Sequence, residues 1–431
     1  MTRNKGRMAG LAVALVSTIL SSAEVIATPQ VFVDSSFGNG GVATIAYATT
    51  TALTPEGKIL ALGQDSGTQV LYRYKRDGSP DIAFGNMGAI RLYANGSAFQ
   101  QSAYSSLLVA ADGSFYLAGY AVDGCKVNIL CNSSVLARFF ADGELDTSFG
   151  INGFAPLSIG QYNPTGQDIR LAFGPDGSIV AAENSYSSSG NHLVPVSVRT
   201  RIERFNVNGG SVASWPLVSS CQPGVYELGV QADGSILVAV SPTLSSSAEQ
   251  RCLSRYTYDG ELDYSFGTNG VVDWAAALGD WSNTSGMIGS SKGTVTLGAF
   301  TTSTSAGTGT TGSLGRFLPT GGLDTAFGVP NGAGTAPANV STLAASCGGK
   351  IVGAALGYDS SYSYIGLVRY NSNGSLDLTA SGTADGIVSK FISFVGEATD
   401  VLVRDDGVII VHTFGRTGGS VDAPPVGFLV A

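Results

Sequence analysis

One short phrase recurs along the chain and constrains its fold more than any other feature. It reads Asp, two variable residues, Phe and Gly, and clear copies occupy residues 34–38, 81–85, 146–150, 263–267 and 324–328. Two further copies are altered: Trp215 takes the Phe position in one, and Ala380 takes it in the copy that starts at Asp377. Seven copies of one phrase predict a repeat fold in which each copy belongs to one structural unit.

A second marker gives the same count independently. A turn glycine occupies an equivalent place in every unit, at Gly57, Gly113, Gly177, Gly234, Gly293, Gly349 and Gly407. The intervals between these glycines average about 58 residues, which is also one seventh of residues 28–431. Turns such as Asp112-Gly113 between apolar runs are hairpin signals, because Gly adopts positive φ at little steric cost. Residues 28–431 are therefore predicted to form one domain.

Each unit is predicted to contain four strands and no helix. In the first unit we expect them at residues 42–46, 51–54, 58–62 and 70–74. The third strand is a continuous apolar run, as at 59–62, 236–239 and 408–411, which is typical of a sheet covered on both faces. Four-stranded units repeated around an axis define the β-propeller. The sequence predicts an all-β, seven-bladed β-propeller of four-stranded antiparallel blades. A β-helix, the alternative, has far shorter coils.

The two ends of the chain are predicted to meet. The last copy stops at Val430, partway through its expected fourth strand, while the first copy begins just before Asp34. We therefore expect residues 31–33 to lie beside the C-terminal strand and to seal the ring.

Arginine recurs in the fourth predicted strand and is followed eight residues later by Asp in five of six units. The arginines are Arg73, Arg138, Arg204, Arg255, Arg316 and Arg369, and the aspartates are Asp81, Asp146, Asp263, Asp324 and Asp377. Because each Arg shares its strand face with an apolar residue, its charge needs an internal partner. This regularity favours ion pairs that stabilise the fold over six ligand-binding arginines. The unit of Arg204 departs from it, with Val212 at the Asp position.

The aromatic residue of each phrase is predicted to be a wedge between neighbouring blades, held by the Gly that follows. These residues are Phe37, Phe84, Phe149, Phe266 and Phe327, with Trp215 in the same role. Their regular recurrence argues against a ligand platform.

These motifs together resemble those of the delta-60 repeat proteins of bacteria. The repeat of that family carries an L-D-x-S/T-F-G phrase, a D-G-K/S hairpin and an L-x-R-Y/F strand. The matching positions here are residues 145–150, 262–267 and 323–328 and the strands around Arg73, Arg138, Arg255, Arg316 and Arg369. The resemblance covers nearly all of residues 28–431. It implies a propeller-type repeat and implies no particular activity.

The N-terminus reads as a secretory signal peptide at residues 1–27. Arg3, Lys5 and Arg7 precede an apolar run from Met8 to Leu20, and small residues follow up to Ala27. The run is shorter than the roughly 20 residues of a membrane-spanning helix, so we expect export to the periplasm or the medium and no membrane span. In an exported chain thiols tend to pair, and the predicted disulfides are Cys125–Cys131 and Cys221–Cys252, with Cys347 unpaired.

Charge and residue usage narrow the classes of ligand. The formal net charge of −9 repels phosphate backbones and argues against nucleic-acid binding. The chain has only two histidines, no closely spaced Cys pairs and no loops of alternating Asp, so no zinc, calcium or other cofactor is predicted.

The leading functional hypothesis is a monomeric binding or scaffold propeller. The long connections are expected to share one rim, where a glycan or a protein would bind. Aromatic and polar residues gather there, at Trp274, Asp280, Trp281, Asn283, Tyr358 and Tyr362. Such residues bind sugars or peptides, or they simply cover the rim.

A carbohydrate-active enzyme is the alternative hypothesis. Asp168, Glu183, Asp273 and Asp280 depart from the repeat, and paired carboxylates about 5 to 10 Å apart at the axis would fit a glycoside hydrolase or lyase. A surface adhesin is a third possibility.

Overall fold

The computed structural model describes residues 33–66, 68–92, 101–122, 133–157, 167–187, 197–217, 224–241, 251–278, 283–290, 292–300, 312–328, 333–336, 340–358, 363–379, 387–392, 394–417 and 425–430. Their strands form seven four-stranded antiparallel sheets. The first strands of the sheets contact one another in a closed ring around a central axis. The prediction of a seven-bladed β-propeller is therefore confirmed.

The strands of the first four blades follow the chain in order, after an initial strand β1 (Val42–Ile45). Blade 1 contains β2 (Ala48–Leu53), β3 (Ile59–Asp65), β4 (Thr68–Tyr74) and β5 (Ala89–Arg91). Blade 2 contains β6 (Gln101–Val109), β7 (Phe115–Val122), β8 (Ser133–Phe139) and β9 (Phe154–Pro156). Blade 3 contains β10 (Gln167–Phe173), β11 (Ile179–Ser187), β12 (Ser197–Phe205) and β13 (Ser211–Pro216). Blade 4 contains β14 (Gly224–Val230), β15 (Ile236–Ser241), β16 (Cys252–Tyr256) and β17 (Val271–Asp273).

The remaining blades continue the pattern. Blade 5 contains β18 (Asn283–Gly289), β19 (Val295–Phe300), β20 (Gly312–Phe317) and β21 (Ala333–Ala336). Blade 6 contains β22 (Val340–Ser346), β23 (Lys350–Tyr358), β24 (Ser363–Tyr370) and β25 (Ile387–Ile392). Blade 7 contains β26 (Phe394–Val403), β27 (Ile409–Thr417), β28 (Pro425–Val430) and β1. The prediction of no helix was wrong at one place, because the described residues contain one short helix, α1 (Trp274–Leu278), before β18. A 3₁₀ turn spans Cys347–Gly349. Among the described residues, no helix has the length and apolar character to cross a membrane.

The predicted grouping of strands into units was wrong by one strand. The strand at 42–45 does not begin blade 1 but forms the outer edge of blade 7, and the apolar runs at 59–62, 236–239 and 408–411 lie in second strands rather than third ones. The reason is that the phrase precedes the outermost strand of its own blade, after which the chain enters the innermost strand of the next. A repeat determines the number of residues per blade. The residue at which one blade ends and the next begins depends on pairing between strands that are distant in the sequence.

Ring closure is confirmed, but through a different segment from the one predicted. β1 pairs antiparallel with β28, with Val42 opposite Val430 and Ile45 opposite Gly427. Val33 precedes the first phrase and belongs to no strand, and residues 31 and 32 lie outside the described residues. The phrase at 34–38 therefore completes blade 7, so the N-terminal segment supplies the outer strand that the C-terminus lacks.

The five predicted ion pairs are present and each joins the third strand of a blade to the phrase that follows. The Arg-to-Asp distances are 2.8 Å for Arg73–Asp81, 3.2 Å for Arg138–Asp146, 2.7 Å for Arg255–Asp263, 2.7 Å for Arg316–Asp324 and 2.8 Å for Arg369–Asp377. Burial opposes ionisation of Asp81, but the hydrogen bond from Lys58 and the charge of Arg73 outweigh it and hold its pKa below the usual value. The arginines are therefore part of the fold rather than a ligand site.

The same arginines also connect neighbouring blades. Arg255 lies over the Phe266 ring, 4.7 Å from its centre, and donates to the carbonyl of Pro319 in blade 5 at 2.6 Å. The backbone N–H of Gly267, in the left-handed region at φ +59°, donates to the Thr320 carbonyl at 2.8 Å. Phe266 is fully buried between the two blades. Ion pair, ring and glycine thus form one inter-blade wedge.

Blade 3 replaces this arrangement. With Val212 at the Asp position, Arg204 lies 4.0 Å from the centre of the Tyr258 ring and 3.6 Å from Asp259, both in blade 4. Trp215 is buried against Tyr256, as expected for the residue in the Phe position.

Replacing Asp146 by Asn should lower the free energy of unfolding by about 2 kcal/mol, because the partly buried Arg138 would lose its buried charge partner and keep only the exposed Asp112, at 3.5 Å. Thermal unfolding of the purified variant measures this. Glu261→Gln, at an exposed turn, is the matched control and should unfold like the parent. Equal melting temperatures for Asp146→Asn and the parent would show that the ion pair contributes nothing.

Candidate functional site

The inner edges of the blades meet at the axis. Each first strand is paired on one side only, so its other backbone groups need partners. Side chains of the preceding blade supply some of them. The Gln69 amide accepts the N–H of Tyr104 at 2.7 Å and donates to its carbonyl at 2.5 Å. The Asn184 amide accepts the N–H of Val225 at 2.9 Å and donates to its carbonyl at 2.7 Å. These amides connect blade 1 to blade 2 and blade 3 to blade 4.

Six of the seven inner strands carry a β-bulge at the same place, eight residues before the hairpin glycine. The residues in the bulges all bear hydroxyl groups: Thr49, Ser105, Tyr226, Ser285, Ser341 and Thr399. β10 pairs with β11 without a bulge. Bulges re-aim side chains and are frequent next to binding sites.

We define the axial belt as these six residues, the residues that follow them, and three residues of β10: the two at the equivalent positions and the one before them. The following residues are Thr50, Ser106, Glu227, Gly286, Thr342 and Asp400, and β10 contributes Asp168, Ile169 and Arg170. The belt lies about midway along the inner strands, between the rim at which these strands begin (the long-loop rim) and the rim that carries the hairpin glycines (the hairpin rim). Toward the hairpin rim these strands become apolar, at Leu53, Leu107, Leu171, Leu228, Met287, Leu343 and Leu402.

Asp168 and Arg170 form an ion pair within β10. Arg170 Nη1 lies 2.5 Å from Asp168 Oδ1, and Arg170 Nε donates to the Tyr226 carbonyl of blade 4 at 2.7 Å. Its guanidinium carbon is 5.9 Å from the centre of the Tyr226 ring. Burial raises the pKa of Asp168, and the charge of Arg170 opposes that rise. The pair therefore connects two blades and leaves Arg170 little freedom to serve other groups.

Asp400 connects blade 7 to blade 1. Its Oδ2 accepts the Thr51 N–H at 2.8 Å and the Thr51 hydroxyl at 3.1 Å. His412 lies opposite in β27, with Nδ1 3.4 Å from Asp400 Oδ2 and 2.6 Å from the Thr399 hydroxyl. Because His412 is fully buried, it supports Asp400 from behind rather than facing the axis.

Glu227 is the belt charge that takes no part in these inter-blade bonds. In the described part of the chain, neither a hydrogen bond nor an ion pair reaches its carboxyl group. It is half-buried, and loss of hydration raises its pKa to about 7, with Arg170 lowering it and Asp168 and Asp400 raising it. Asp400 belongs to blade 7, three blades away in the ring, and its charge acts on Glu227 and raises the pKa of that carboxyl group.

Of the acids that the repeat analysis singled out, only Asp168 lies at the axis among the residues that the structure describes. Glu183 is buried in the second strand of blade 3, where it accepts a hydrogen bond from the Ser134 hydroxyl. Asp273 accepts the Ala276 N–H at 3.0 Å at the start of α1, on the outer edge of blade 4. Asp280 lies outside the described residues. The axial acids that sequence reasoning missed, Glu227 and Asp400, stand seven residues before a hairpin glycine, where the other blades have Thr50, Ser106, Arg170, Gly286 and Thr342.

The structure removes one residue from the predicted aromatic site at the long-loop rim. Trp274 is fully buried against blade 5 and donates from its indole N–H to the Val240 carbonyl at 3.2 Å, so it is a core residue and not a ligand platform. Asn283 begins β18 and Tyr358 ends β23, both at the long-loop rim. Trp281 and Tyr362 lie outside the described residues and stay predictions.

The structure describes two of the five cysteines. Cys347 is free and exposed on the hairpin rim, and Cys252 is buried in β16. Cys125, Cys131 and Cys221 lie outside the described residues, as does the predicted signal peptide. Within the described ranges no three His, Cys, Asp or Glu side chains are grouped so that they would hold a metal ion.

Comparison with known proteins supports a β-propeller repeat family. A family profile described as "Domain of unknown function (DUF5122) beta-propeller" matches residues 132–149, 231–266 and 349–379, which lie in three different repeats. No curated protein matches the chain.

Solved structures resemble the chain at the level of fold. A puromycin hydrolase mutant is 15% identical with a TM-score of 0.48, and the alignment covers 92% of this chain and 54% of that one, so this chain spans about half its length. A protein of unknown function from Dyadobacter fermentans is 14% identical with a TM-score of 0.46, over 78% and 96% of the two chains. The polysaccharide lyase Uly1 is 11% identical with a TM-score of 0.46, over 93% of each.

Replacing Glu227 by Gln should stabilise the protein near pH 8 and leave it unchanged near pH 4. The folded-state pKa is raised from 4.5 to about 7, so the folded chain keeps its proton longer and stability falls as the pH rises through that interval. Gln stays uncharged at both pH values, so the substitution raises the free energy of unfolding at pH 8 by at most about 3 kcal/mol. Thermal unfolding at both pH values measures it. A variant that is equally or less stable at pH 8 would contradict the environment described for Glu227.

Proposed function

We propose that this chain is an exported β-propeller of the delta-60 repeat type that binds a neutral carbohydrate at the axial belt. The observation that carries the proposal is Glu227, a carboxyl group at the axis that the inter-blade bonding does not use. Arg170 and Asp400 are bonded to neighbouring blades, and Asp168 is bonded to Arg170. A group that the fold does not need, placed where seven strands converge, fits a role in binding.

The chemistry of the belt favours a polyhydroxylated ligand. Sugar hydroxyls both donate and accept hydrogen bonds, and the belt presents both hydroxyl residues, such as Thr49 and Thr50, and the carboxyl group of Glu227. Tyr226 is 36% exposed and offers an aromatic surface next to Glu227. Arg170 is paired to Asp168, and Asp400 is bonded to Thr51, so the belt offers no unpaired cation for an anionic ligand.

The location of the belt agrees with ligand entry from the long-loop rim. The polar residues lie about midway along the inner strands, and the residues between them and the hairpin rim are apolar, so the belt is open to the long-loop rim on its polar side. Asn283 and Tyr358 stand at strand ends on the same rim. The rim residues and the belt are therefore proposed to form the outer and inner parts of one site.

Tyr226→Ala should weaken carbohydrate binding about tenfold, because it removes the exposed ring and keeps the backbone carbonyl that Arg170 binds. A glycan array identifies binding sugars, and calorimetry with cellohexaose, chitohexaose and maltohexaose gives affinities. Tyr264→Ala, on a ring that is 73% exposed on the hairpin rim, is the matched control and should bind like the parent. Failure of the intact protein to bind any glycan would refute the proposal.

A carbohydrate-active enzyme is the second candidate function. The raised pKa of Glu227 favours it, because general acid catalysis of glycoside cleavage uses a carboxyl group that keeps its proton near neutral pH, together with a second carboxyl group in the same site. Incubation with neutral and uronate-containing polysaccharides tests for new reducing ends or unsaturated products. Glu227→Gln should then lower the rate at least about a hundredfold. Unchanged polysaccharides would leave binding as the function.

A further inference from the structure

Glu227 has a distinct position among the charged groups of the axial belt. Asp168 and Arg170 bond to each other, and Asp400 accepts two hydrogen bonds from Thr51. Glu227 has no such bond within the described residues. In the free protein its carboxylate form therefore lacks hydrogen-bond donors from the described part of the chain.

Among the described side chains, the charges that act on Glu227 come from two other inner strands. β10 contributes Asp168 and Arg170, β26 contributes Asp400 with His412 behind it, and β14 itself contributes the phenol of Tyr226. The equivalent residues of the other inner strands are uncharged: Thr50, Ser106, Gly286 and Thr342. Among the residues that define the belt, Arg170 is the one cation, and its guanidinium is already bonded to Asp168 and to the Tyr226 carbonyl.

A ligand that donates hydrogen bonds would shift the equilibrium between the protonated and the ionised form of Glu227. Hydrogen bonds to a carboxylate are roughly twice as strong as those to a neutral carboxyl group, so sugar hydroxyls would stabilise the ionised form of Glu227 more than the protonated form. Bonding to the charged form lowers the pKa of a group. Linkage then requires that ligand binding and proton loss promote each other.

We propose that carbohydrate binding at the axial belt is coupled to release of the Glu227 proton. The ligand hydroxyls donate to the Glu227 carboxylate, and the proton passes to bulk solvent. This inference rests on the proposed function and adds its regulation. Affinity rises with pH while Glu227 is protonated in the free protein, by at most about tenfold per pH unit, and is constant at higher pH.

Calorimetry in two buffers of different ionisation heat, near pH 6 and near pH 8, tests the coupling with cellohexaose, chitohexaose and maltohexaose as probes. The parent should release close to one proton per bound sugar near pH 6 and almost none near pH 8, with tighter binding at the higher pH. Glu227→Gln should bind about tenfold more weakly than the parent at pH 8 and show neither proton release nor pH dependence. Glu144→Gln, at an exposed turn on the hairpin rim, is the matched control and should behave like the parent.

The outcomes separate this inference from the proposed function. A parent that binds a hexasaccharide with equal affinity at both pH values and releases no proton overturns the coupling and leaves carbohydrate binding intact. Absence of binding by every probe at both pH values overturns both. A ¹³C NMR titration of the ligand-free protein, with Glu227→Gln to assign the signal, is a further arm: a midpoint near 7 supports the coupling, and an ordinary glutamate midpoint overturns it.

Discussion

Every blade needs a neighbour on each of its two faces, and the whole structure follows from this requirement. The second strands are apolar on both sides, as the fully buried residues Leu60, Val238 and Ile410 illustrate. A blade at the end of an open stack would expose one such face to water, at a cost of roughly 25 cal/mol for each Å². A closed ring removes both ends. The wedge of Arg, Asp and Phe fixes the contact between blades, and β1 completes the last blade by pairing with β28.

Most of the architecture could be predicted because it depends on local patterns that recur. The Phe-Gly phrase and the hairpin glycine set the number of blades, and the spacing of eight residues between Arg and Asp predicted the ion pairs. The phase of the repeat could not be predicted in the same way. Residues 42–45 could pair either with the strand that follows them or with a strand at the far end of the chain. The pairing of Val42 with Val430 decides for the far end, and no local pattern reveals it.

The candidate site was harder to predict than the fold. Acids were chosen because they depart from the repeat, but Glu183 and Asp273 do so for local structural reasons, in a buried hydrogen bond and at the start of α1. Trp274 looked like a ligand platform because aromatic residues are common in both cores and binding sites. Glu227 and Asp400 could have been found by aligning the residues seven positions before each hairpin glycine. That alignment shows charges in place of hydroxyls, but only the structure shows that the charge of Asp400 acts on Glu227 from another blade.

Closure by the N-terminal strand has a consequence for the order of events during biosynthesis. β1 precedes every other described strand, yet its partner β28 follows all of them. The earliest strand therefore stays unpaired until the last one has been synthesised. Contacts between such distant positions carry a large entropic cost of loop closure and slow the final folding step. A ribosome that stops before β28 would release a chain that cannot seal its ring.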